Sequence, residues 1–548
     1  MSDLALDSRA GRSVIAAAVL GSGMALLDGT VVNVALVRIG EELGAGMSDL
    51  QWITNGYLLA LASLILLGGS LGDRFGRRRV FVVGVAWFTL ASAACGLAQS
   101  PGQLVVARVL QGVGGALLTP GSLALIQSSF RPGDRGKAIG AWSGLGGIAS
   151  AAGPFVGGWL VQYASWRWAF LVNVPLGVAT VWIAQLHVPE SRDERADHHF
   201  DVPGAALATL ALGVTTFALI QHEALGPGPT VGVLALGLAI GATFVVVERR
   251  TTHPMVQPSL FASRQFSAAN AMTLLVYAAL GAVFFFLTLQ LQTVLGYGPM
   301  LAGMASLPVT VLMLFLASRG GELASRIGPR LPMTLGPVVC GVGTVLLAGV
   351  GAGSTYWLGV LPGITVFGLG LVLLVAPLTA TVLAAAPDRY AGVASGVNNA
   401  VARAGSLLAV AALPAAVGLS GTDYADPEAF SSAYRAAMLL CAVLLVAGGA
   451  VSWLLVRNPE AEPSEPVPAE PVPAEEAAVG AHEGGLEGGL DRTHDGIPAL
   501  APEVARGAVP ARRRTRSVQA GWSCAGSEGC PGTSHREDDD LASTSGAR

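Results

Sequence analysis

The sequence has little charge, and this scarcity excludes most soluble proteins. Of its 548 residues, 12% are charged and 52% are hydrophobic, whereas soluble globular domains average about 25% charged residues. Lysine is almost absent, since Lys137 is the only lysine in the chain. With its high alanine and glycine content, this usage indicates a GC-rich bacterial genome. The first 456 residues carry 20 acidic and 23 basic side chains, and we expect no nucleic-acid partner.

Residue patterns that would indicate catalysis or metal binding are also missing. The five cysteines show neither metal-ligand spacing nor a framework of disulfide pairs. His198 and His199 lie among acidic residues, a pattern that we interpret as a solvated linker rather than a metal site. There is no nucleotide-binding loop and no nucleophile constellation. We therefore expect no enzyme activity, no metal and no cofactor.

What the sequence does have is long apolar segments. A helix needs about 20 apolar residues to cross a bilayer core, and fourteen segments approach that length. The first apolar run is too long for the h-region of a cleavable signal peptide. The sequence therefore predicts an all-α polytopic membrane protein, with spans near residues 14–36, 50–71, 80–99, 103–126, 137–160, 169–187, 204–221, 230–248, 268–292, 301–318, 332–350, 356–383, 392–418 and 434–456.

The basic residues predict the orientation of these spans. Cytoplasmic loops carry an excess of Lys and Arg. One set of loops, together with the leader, holds eighteen basic residues, whereas the opposite set holds only Arg38, Arg167 and Arg435. We therefore expect a protein of the bacterial plasma membrane with both termini in the cytoplasm.

A short basic motif occurs twice and indicates an internal duplication. Residues 69–79 read Gly-Ser-Leu-Gly-Asp-Arg-Phe-Gly-Arg-Arg-Arg, and a degraded copy begins 252 positions later at Gly321. Each copy lies between membrane-length segments, as in duplicated transporters. The predicted domains are a leader (1–12), a six-helix bundle (13–187), two inserted helices with linkers (188–267), a second six-helix bundle (268–456) and a disordered cytoplasmic tail (457–548).

Two charged residues inside predicted spans are candidates for proton coupling. Asp28 is the only acid well inside a predicted span, and such a carboxylate usually faces a polar cavity and has a function. Arg108 lies at a similar depth in span 4, so the two side chains are able to pair. The alternatives are a purely structural role for Asp28 and an Arg108 that reaches the headgroups.

Polar residues in other predicted spans are candidates for the substrate cavity. Arg403 is one of them, because an arginine in mid-membrane is unlikely to face lipid; a structural role is the alternative. Span 5 is rich in small residues and contains Pro154, a composition that favours close helix packing and bending. The cavity candidates are Asn33, Tyr57, Gln111, Gln290, Asn399 and Arg403.

With these motifs the chain resembles the major facilitator superfamily, in particular its fourteen-span drug:proton antiporter branch. The resemblance covers nearly all of residues 13–456. Residues 69–79 are similar to the family's loop between spans 2 and 3, and residues 140–158 to its antiporter motif. Residues 27–39, 166–177 and 294–303 are similar to further segments of the branch pattern.

The resemblance implies a fold of two pseudo-symmetric six-helix bundles with two inserted helices. It also implies a conformational gate in which Asp73 and Arg77 lock one side of the protein. The gate residues are Gly69, Gly72, Asp73, Arg74, Gly76, Arg77 and Arg78, and the antiporter motif is formed by Gly140, Gly153, Pro154, Gly157 and Gly158. Ser325 replaces the expected aspartate in the second copy, so we expect that copy to gate weakly.

These features predict a proton-coupled antiporter that exports small hydrophobic compounds such as drugs, antibiotics or dyes. Its energy source is the proton gradient, and its partners are protons, the substrate and the lipid bilayer. A proton-coupled importer and a membrane sensor or scaffold are the alternatives. The sequence indicates neither the substrate's identity nor the oligomeric state.

Overall fold

The computed structural model describes residues 4–192, 201–387, 390–421 and 423–458. Within these ranges, fourteen helices are long and apolar enough to span a membrane, in agreement with the predicted number. The first seven helices are α1 (Arg9–Leu43), α2 (Met47–Phe75), α3 (Arg77–Leu97), α4 (Pro101–Ser129), α5 (Pro132–Tyr163), α6 (Trp168–Leu171) and α7 (Asn173–His187). The next three are α8 (Val202–Ile220), α9 (His222–Leu225) and α10 (Pro227–Arg250).

The remaining seven helices repeat the pattern of the first seven. They are α11 (Arg264–Thr293), α12 (Pro299–Met304), α13 (Leu307–Ile327), α14 (Arg330–Leu347), α15 (Leu361–Ala384), α16 (Ala391–Ala416) and α17 (Pro427–Leu455). Helix α1 packs on α5 and α7, and correspondingly α11 packs on α16 and α17. Likewise α4 packs on α2 and α3, as α15 packs on α13 and α14. The two bundles are therefore pseudo-symmetric, and the predicted fold class is confirmed.

The inserted helices lie beside the seam between the two bundles. Helices α8 and α10 pack on each other, and α8 also contacts α2 and α16. The exposed apolar side chains of α10 include Val231, Leu236 and Leu238. A surface of this kind suits contact with lipid. The insert therefore widens the bundle without entering its centre. Residues 193–200, with His198 and His199, lie outside the described part of the chain.

The predicted glycine- and arginine-rich turns are mostly helical, which corrects the sequence interpretation. Helix α2 continues to Phe75 and breaks only at Gly76, where φ is 107°. Helix α13 continues to Ile327 and breaks at Gly328, where φ is 83°. Both φ values lie in a region that favours glycine. We call the end of the protein that carries these two breaks the arginine-rich end.

Each break is held by a residue that follows the last helix of the same bundle. Glu190 accepts a hydrogen bond from the backbone N–H of Arg78 (3.0 Å), at the start of α3. Asn458 accepts one from the backbone N–H of Arg330 (3.1 Å), at the start of α14. A Cβ atom on Gly76 would lie 2.6 Å from the Glu190 carboxylate, and one on Gly328 would lie 2.3 Å from the Asn458 amide. The same close packing thus occurs in both copies.

The hydrogen bonds of Asn458 shift the start of the predicted tail. The tail was predicted to begin at residue 457, but the Arg457 N–H donates to Gln265 (3.0 Å) and Asn458 caps α14. Residues 459–548 lie outside the described residues, so the predicted disorder remains a prediction.

Deleting residues 463–548 should leave transport near the wild-type level, because the contacts of Asn458 remain. Deleting residues 458–548 should lower the stability of the membrane part, since loss of a helix cap costs about 0.5–2 kcal/mol. Thermal unfolding in detergent and transport by vesicles would measure both effects. Loss of transport in a correctly inserted protein that lacks only 463–548 would contradict a passive tail.

Candidate functional site

A buried ion pair lies at the centre of the first bundle. The side chain of Asp28, on α1, is 0% exposed and that of Arg108, on α4, is 2% exposed. Arg108 Nη1 donates to Asp28 Oδ2 at 2.5 Å, and Gln111 Nε2 donates to Asp28 Oδ1 at 2.7 Å. Both carboxylate oxygens therefore have partners. This satisfies the requirement for burying a charge inside a protein.

Arg108 is fixed by a second set of contacts. Its Nε donates to the carbonyl oxygen of Ile53 (3.0 Å) and its Nη1 also donates to Gln111 Oε1 (2.6 Å). The guanidinium carbon lies 4.5 Å from the ring centroid of Tyr57 and 5.7 Å from that of Phe170. Arg108 therefore turns inward, and the alternative in which it reaches the headgroups is excluded for this conformation.

Two residues that the sequence analysis missed extend this network. Ser92 accepts hydrogen bonds from Gln111 Nε2 (3.1 Å) and Asn173 Nδ2 (3.0 Å), and it donates to the carbonyl of Phe170 (2.9 Å). The network thus joins α1, α2, α3, α4, α6 and α7. Asn173 lies inside the segment 166–177, which carries part of the family resemblance. That resemblance was the signal in the sequence that could have identified Asn173. Nothing in the sequence distinguishes Ser92 from other helical serines.

Three of the predicted cavity residues do not line the cavities described below, which corrects the sequence interpretation. Tyr57 is 3% exposed, and both Gln111 and Gln290 are 0% exposed. Tyr57 and Gln111 pack around the Asp28–Arg108 pair. Gln290 Nε2 donates to the carbonyl of Val350 (2.9 Å) and so joins α11 to the end of α14. Gln111 and Gln290 thus use their amide N–H groups in hydrogen bonds between segments of the helix bundle.

The central cavity lies between the two bundles and has a volume of about 760 Å³. Helices α1 and α5 line one side, and α11, α12, α13 and α15 line the other. Asn33 is in its wall, together with Thr30, Phe284 and Met313. The walls are apolar with a few hydroxyl and amide groups, and the described lining contains no charged side chain. Such a cavity suits an apolar molecule of drug-like size.

A smaller cavity, of about 130 Å³, lies in the second bundle. Asn399 and Arg403, two of the predicted cavity residues, are in its lining. Tyr277 of α11 and Thr379 of α15 complete the side that faces Arg403. Thr379 lies one helical turn from Val375, which lines the central cavity. The two cavities are therefore neighbours along α15.

The antiporter motif on α5 closes the end of the protein opposite the arginine-rich end. A Cβ on Gly153 would lie 2.2 Å from Thr30 Oγ1, and one on Gly157 would lie 2.6 Å from Val31. Gly158 contacts the other bundle, where its Cβ would lie 2.6 Å from Cα of Met300. The carbonyl of Pro154 similarly approaches Gly303. Gly140 differs from these, because no heavy atom of the described residues lies within 4 Å of its Cβ position.

Hydrogen bonds between the bundles lie at this same end. Gln292 Nε2 donates to the carbonyl of Val34 (3.0 Å), and the Met300 N–H donates to Gln162 (3.2 Å). On the other side of the bundle, the Tyr424 hydroxyl donates to the carbonyl of Ala45 (2.9 Å). Burial raises the pKa of Tyr424, so this hydroxyl keeps its proton and remains a donor. The end opposite the arginine-rich end is therefore closed.

Gly158→Ala should weaken this closed end, because the new Cβ would overlap the backbone at Met300. Overpacking of this kind costs about 1–3 kcal/mol, and we expect a reduced rate of transport. Gly140→Ala is the matched control, since its Cβ enters open space. Transport by inverted vesicles at equal expression measures both variants. Equal transport rates for the two variants would show that the contact between Gly158 and Met300 does not affect transport.

The two copies of the basic motif use their charges differently. Asp73 Oδ1 accepts a hydrogen bond from Arg77 Nε (2.9 Å) and lies 2.8 Å from Arg77 Nη2, so that an ion pair spans the break at Gly76. Glu190 lies 3.6 Å from Arg78 and 3.7 Å from Arg79. In the second copy, Arg330 donates to the carbonyl of Trp453 (2.6 Å) and stacks on its ring, 4.3 Å from the centroid.

The contacts of Ser325 in the second copy, and of the other predicted gate residues in the first copy, are local. Ser325 donates to the carbonyl of Glu322 (2.7 Å), within its own helix. Arg74 lies over the ring of Phe75, 5.1 Å from the centroid. A Cβ on Gly69 would lie 3.8 Å from Pro120, and one on Gly72 would meet no atom within 4 Å. Among the described residues, the Asp73–Arg77 pair thus has no counterpart at Ser325.

Comparisons with known proteins agree with the fold. The family model for the Major Facilitator Superfamily matches residues 18–410. The tetracenomycin C resistance and export protein of Streptomyces glaucescens is 39% identical over 405 residues, which are 72% of this chain and 74% of that protein. The puromycin resistance protein of Streptomyces alboniger is 34% identical over 455 residues, or 79% and 89% of the two chains.

Solved structures show the same fold. The crystal structure of an auto-inhibited peptide transporter of the POT family matches with a TM-score of 0.61 and covers 83% of this chain and 99% of its own. At 18% sequence identity this similarity concerns the fold alone. The fourteen apolar helices and the matched family identify a multi-pass membrane protein. The chain belongs to the Major Facilitator Superfamily.

Proposed function

We propose that the chain is an exporter of small, largely apolar compounds that exchanges its substrate for protons. Its place is the bacterial plasma membrane, with the arginine-rich end and both termini in the cytoplasm. The observation that carries the proposal is the buried Asp28–Arg108–Gln111 network beside a large uncharged cavity. The names of the relatives, which include antibiotic resistance and export proteins, support this direction of transport.

The described conformation corresponds to one half of a transport cycle. The end away from the arginine-rich end is closed by Gly158, Gln162 and Gln292. A substrate would therefore enter from the cytoplasm or the inner leaflet and occupy the central cavity. Rocking of the bundles would then open the other end, as in alternating access.

Proton exchange at Asp28 would link this rocking to the proton gradient. The ionised carboxylate holds Arg108 and Gln111, and so ties α1 to α4. A proton on Asp28 removes the negative charge and weakens both hydrogen bonds, because charge-assisted bonds are roughly twice as strong as neutral ones. Arg108 keeps its own proton at any pH in the cell. Protonation would therefore loosen α1 against α4 and favour the opposite conformation.

Other buried acids lie away from the cavities. Glu248 is 4% exposed and accepts a hydrogen bond from the Val256 N–H (3.3 Å), and Asp201 accepts one from the Gly204 N–H (2.7 Å). Glu248 was missed because it ends a predicted span. Both acids hold the inserted helices and the linker that follows α10. We assign them no part in proton exchange, which makes Glu248→Gln a control for Asp28→Asn.

The proposal is tested with inverted membrane vesicles that have an acidic interior and a trapped pH-sensitive dye. Addition of puromycin or tetracenomycin C should cause accumulation of the compound and a rise in internal pH. Collapse of the pH gradient should abolish the accumulation. Accumulation that persists without a gradient would refute proton coupling. Net uptake of the compound by intact cells would favour the importer alternative. If vesicles that lack the protein show the same accumulation and the same rise in internal pH, transport by this protein is refuted.

A further inference from the structure

The described lining of the two cavities carries one charged side chain, which is positive. The described lining of the central cavity is uncharged, and that of the smaller cavity has Arg403 as its charged group. The carboxylate of Asp28 is 0% exposed and is held by Arg108 and Gln111. A cationic molecule in these cavities therefore meets a positive charge and no accessible carboxylate.

Arg403 differs from Arg108, the other arginine inside a span, in having no hydrogen-bond or ion-pair partner among the described residues. It is partly buried and lies twelve residues into α16, or about 18 Å from the start of that helix at 1.5 Å per residue. Arg108, by contrast, has a carboxylate, an amide and a carbonyl as partners. An unpaired cation in mid-membrane is costly and usually marks a substrate or ion pathway.

The surroundings of Arg403 suit an acidic group attached to a ring. Asn399 is exposed in the cavity, and its amide donates to the Ser395 carbonyl (3.1 Å). Tyr277 forms an aromatic wall of the same cavity. The volume of about 130 Å³ is close to that of cavities that hold one benzene ring. Thr379 and Val375 connect this space with the central cavity along one turn of α15.

We infer that Arg403 binds the acidic group of amphiphilic substrates, whose apolar ring system occupies the central cavity. The substrate class is an apolar multi-ring compound with one carboxylate, sulfonate or ionised phenol. Arginine suits this role because its guanidinium fork binds such groups with two parallel hydrogen bonds. This inference rests on the proposed export function and specifies its substrate.

Two dyes on one xanthene scaffold test the inference, namely anionic fluorescein and cationic rhodamine 123. Uptake into energised inverted vesicles is measured for the wild type, Arg403→Gln and Arg403→Lys. Arg435→Gln is the control, since Arg435 is an exposed arginine of the same bundle that lines neither cavity. Stabilisation of the purified protein against heat by each dye measures binding without transport.

Arg403→Gln should raise the KM for fluorescein about tenfold to a hundredfold, the range of a charge-assisted hydrogen bond. Its KM for rhodamine 123 should stay the same or fall. Arg403→Lys should recover part of the loss, and Arg435→Gln should match the wild type. Equal losses for both dyes would assign Arg403 a structural role and overturn the inference.

The failure of the inference is distinguishable from the failure of the proposed function. Wild-type uptake of rhodamine 123 or puromycin without uptake or binding of fluorescein would overturn the acid-binding site and leave export intact. If no compound is taken up and none stabilises the purified protein, the export proposal fails and the inference fails with it.

Discussion

Asp28→Asn is expected to abolish substrate accumulation driven by a pH gradient while leaving substrate binding in place. Asparagine keeps the shape of the side chain and still accepts from Arg108, but it cannot release a proton. The substitution also leaves Arg108 buried without a countercharge, which costs about 3–5 kcal/mol when one partner of a buried pair is removed. Lower thermal stability is therefore expected together with the loss of coupling.

A double variant separates these two effects. Asp28→Asn combined with Arg108→Gln removes both charges and should recover much of the lost stability, because no uncompensated charge is buried. It should remain uncoupled, since no titratable group has been restored. Glu248→Gln, which neutralises a buried acid of the inserted helices, should accumulate substrate like the wild type. Gradient-driven accumulation by Asp28→Asn at the wild-type rate would remove Asp28 from the mechanism.

Asp73→Asn is expected to reduce transport much more than it reduces stability. The Asp73–Arg77 pair is partly exposed, with side chains 43% and 22% accessible, and pairs of this kind contribute about 0.3–0.5 kcal/mol on a helix. Its position is more consequential, because it spans the break between α2 and α3 at Gly76. Helix α2 packs on α16 of the other bundle, where Leu66 approaches Gly396.

Loss of the ion pair should therefore loosen the connection between α2 and α3 at Gly76, through which movement of one bundle reaches the other. We expect a fall in transport of about tenfold, equivalent to about 1.4 kcal/mol in the barrier. Ser325→Ala is the matched control in the second copy, because within the described part of the chain Ser325 bonds only to a carbonyl of its own helix. Uptake by inverted vesicles and unfolding in detergent are measured side by side. Similar losses for Asp73→Asn and Ser325→Ala would show that the two copies do not differ in function.

The sequence predicted the number of spans and the pseudo-symmetry because both depend on local properties. Apolar length defines each span, and the duplicated basic motif relates the two bundles. The proximity of Asp28 and Arg108 was also accessible, since their depths in spans 1 and 4 are similar. The ends of the helices were harder to predict. Helices α2 and α13 continue through most of the predicted turns, and a single glycine with positive φ ends each of them.

Contacts between distant segments were beyond the sequence analysis. Glu190 and Asn458 reach the starts of α3 and α14 from segments more than one hundred residues away. The side of a helix that faces a cavity was equally hidden. Gln111 and Asn33 are both polar residues in apolar spans, yet one is fully buried in the ion-pair network and the other lines the central cavity. Helix rotation, which separates these cases, is decided by packing.

The central claim is that the protein exchanges its substrate for a proton carried by Asp28, and proton release on substrate binding tests it most directly. Purified wild-type protein in weakly buffered detergent solution is mixed with puromycin or tetracenomycin C, and a pH-sensitive dye records the protons released. The wild type should release protons when it binds, and Asp28→Asn should bind without releasing any. Equal release by both proteins, or binding to the wild type without release, would contradict the claim.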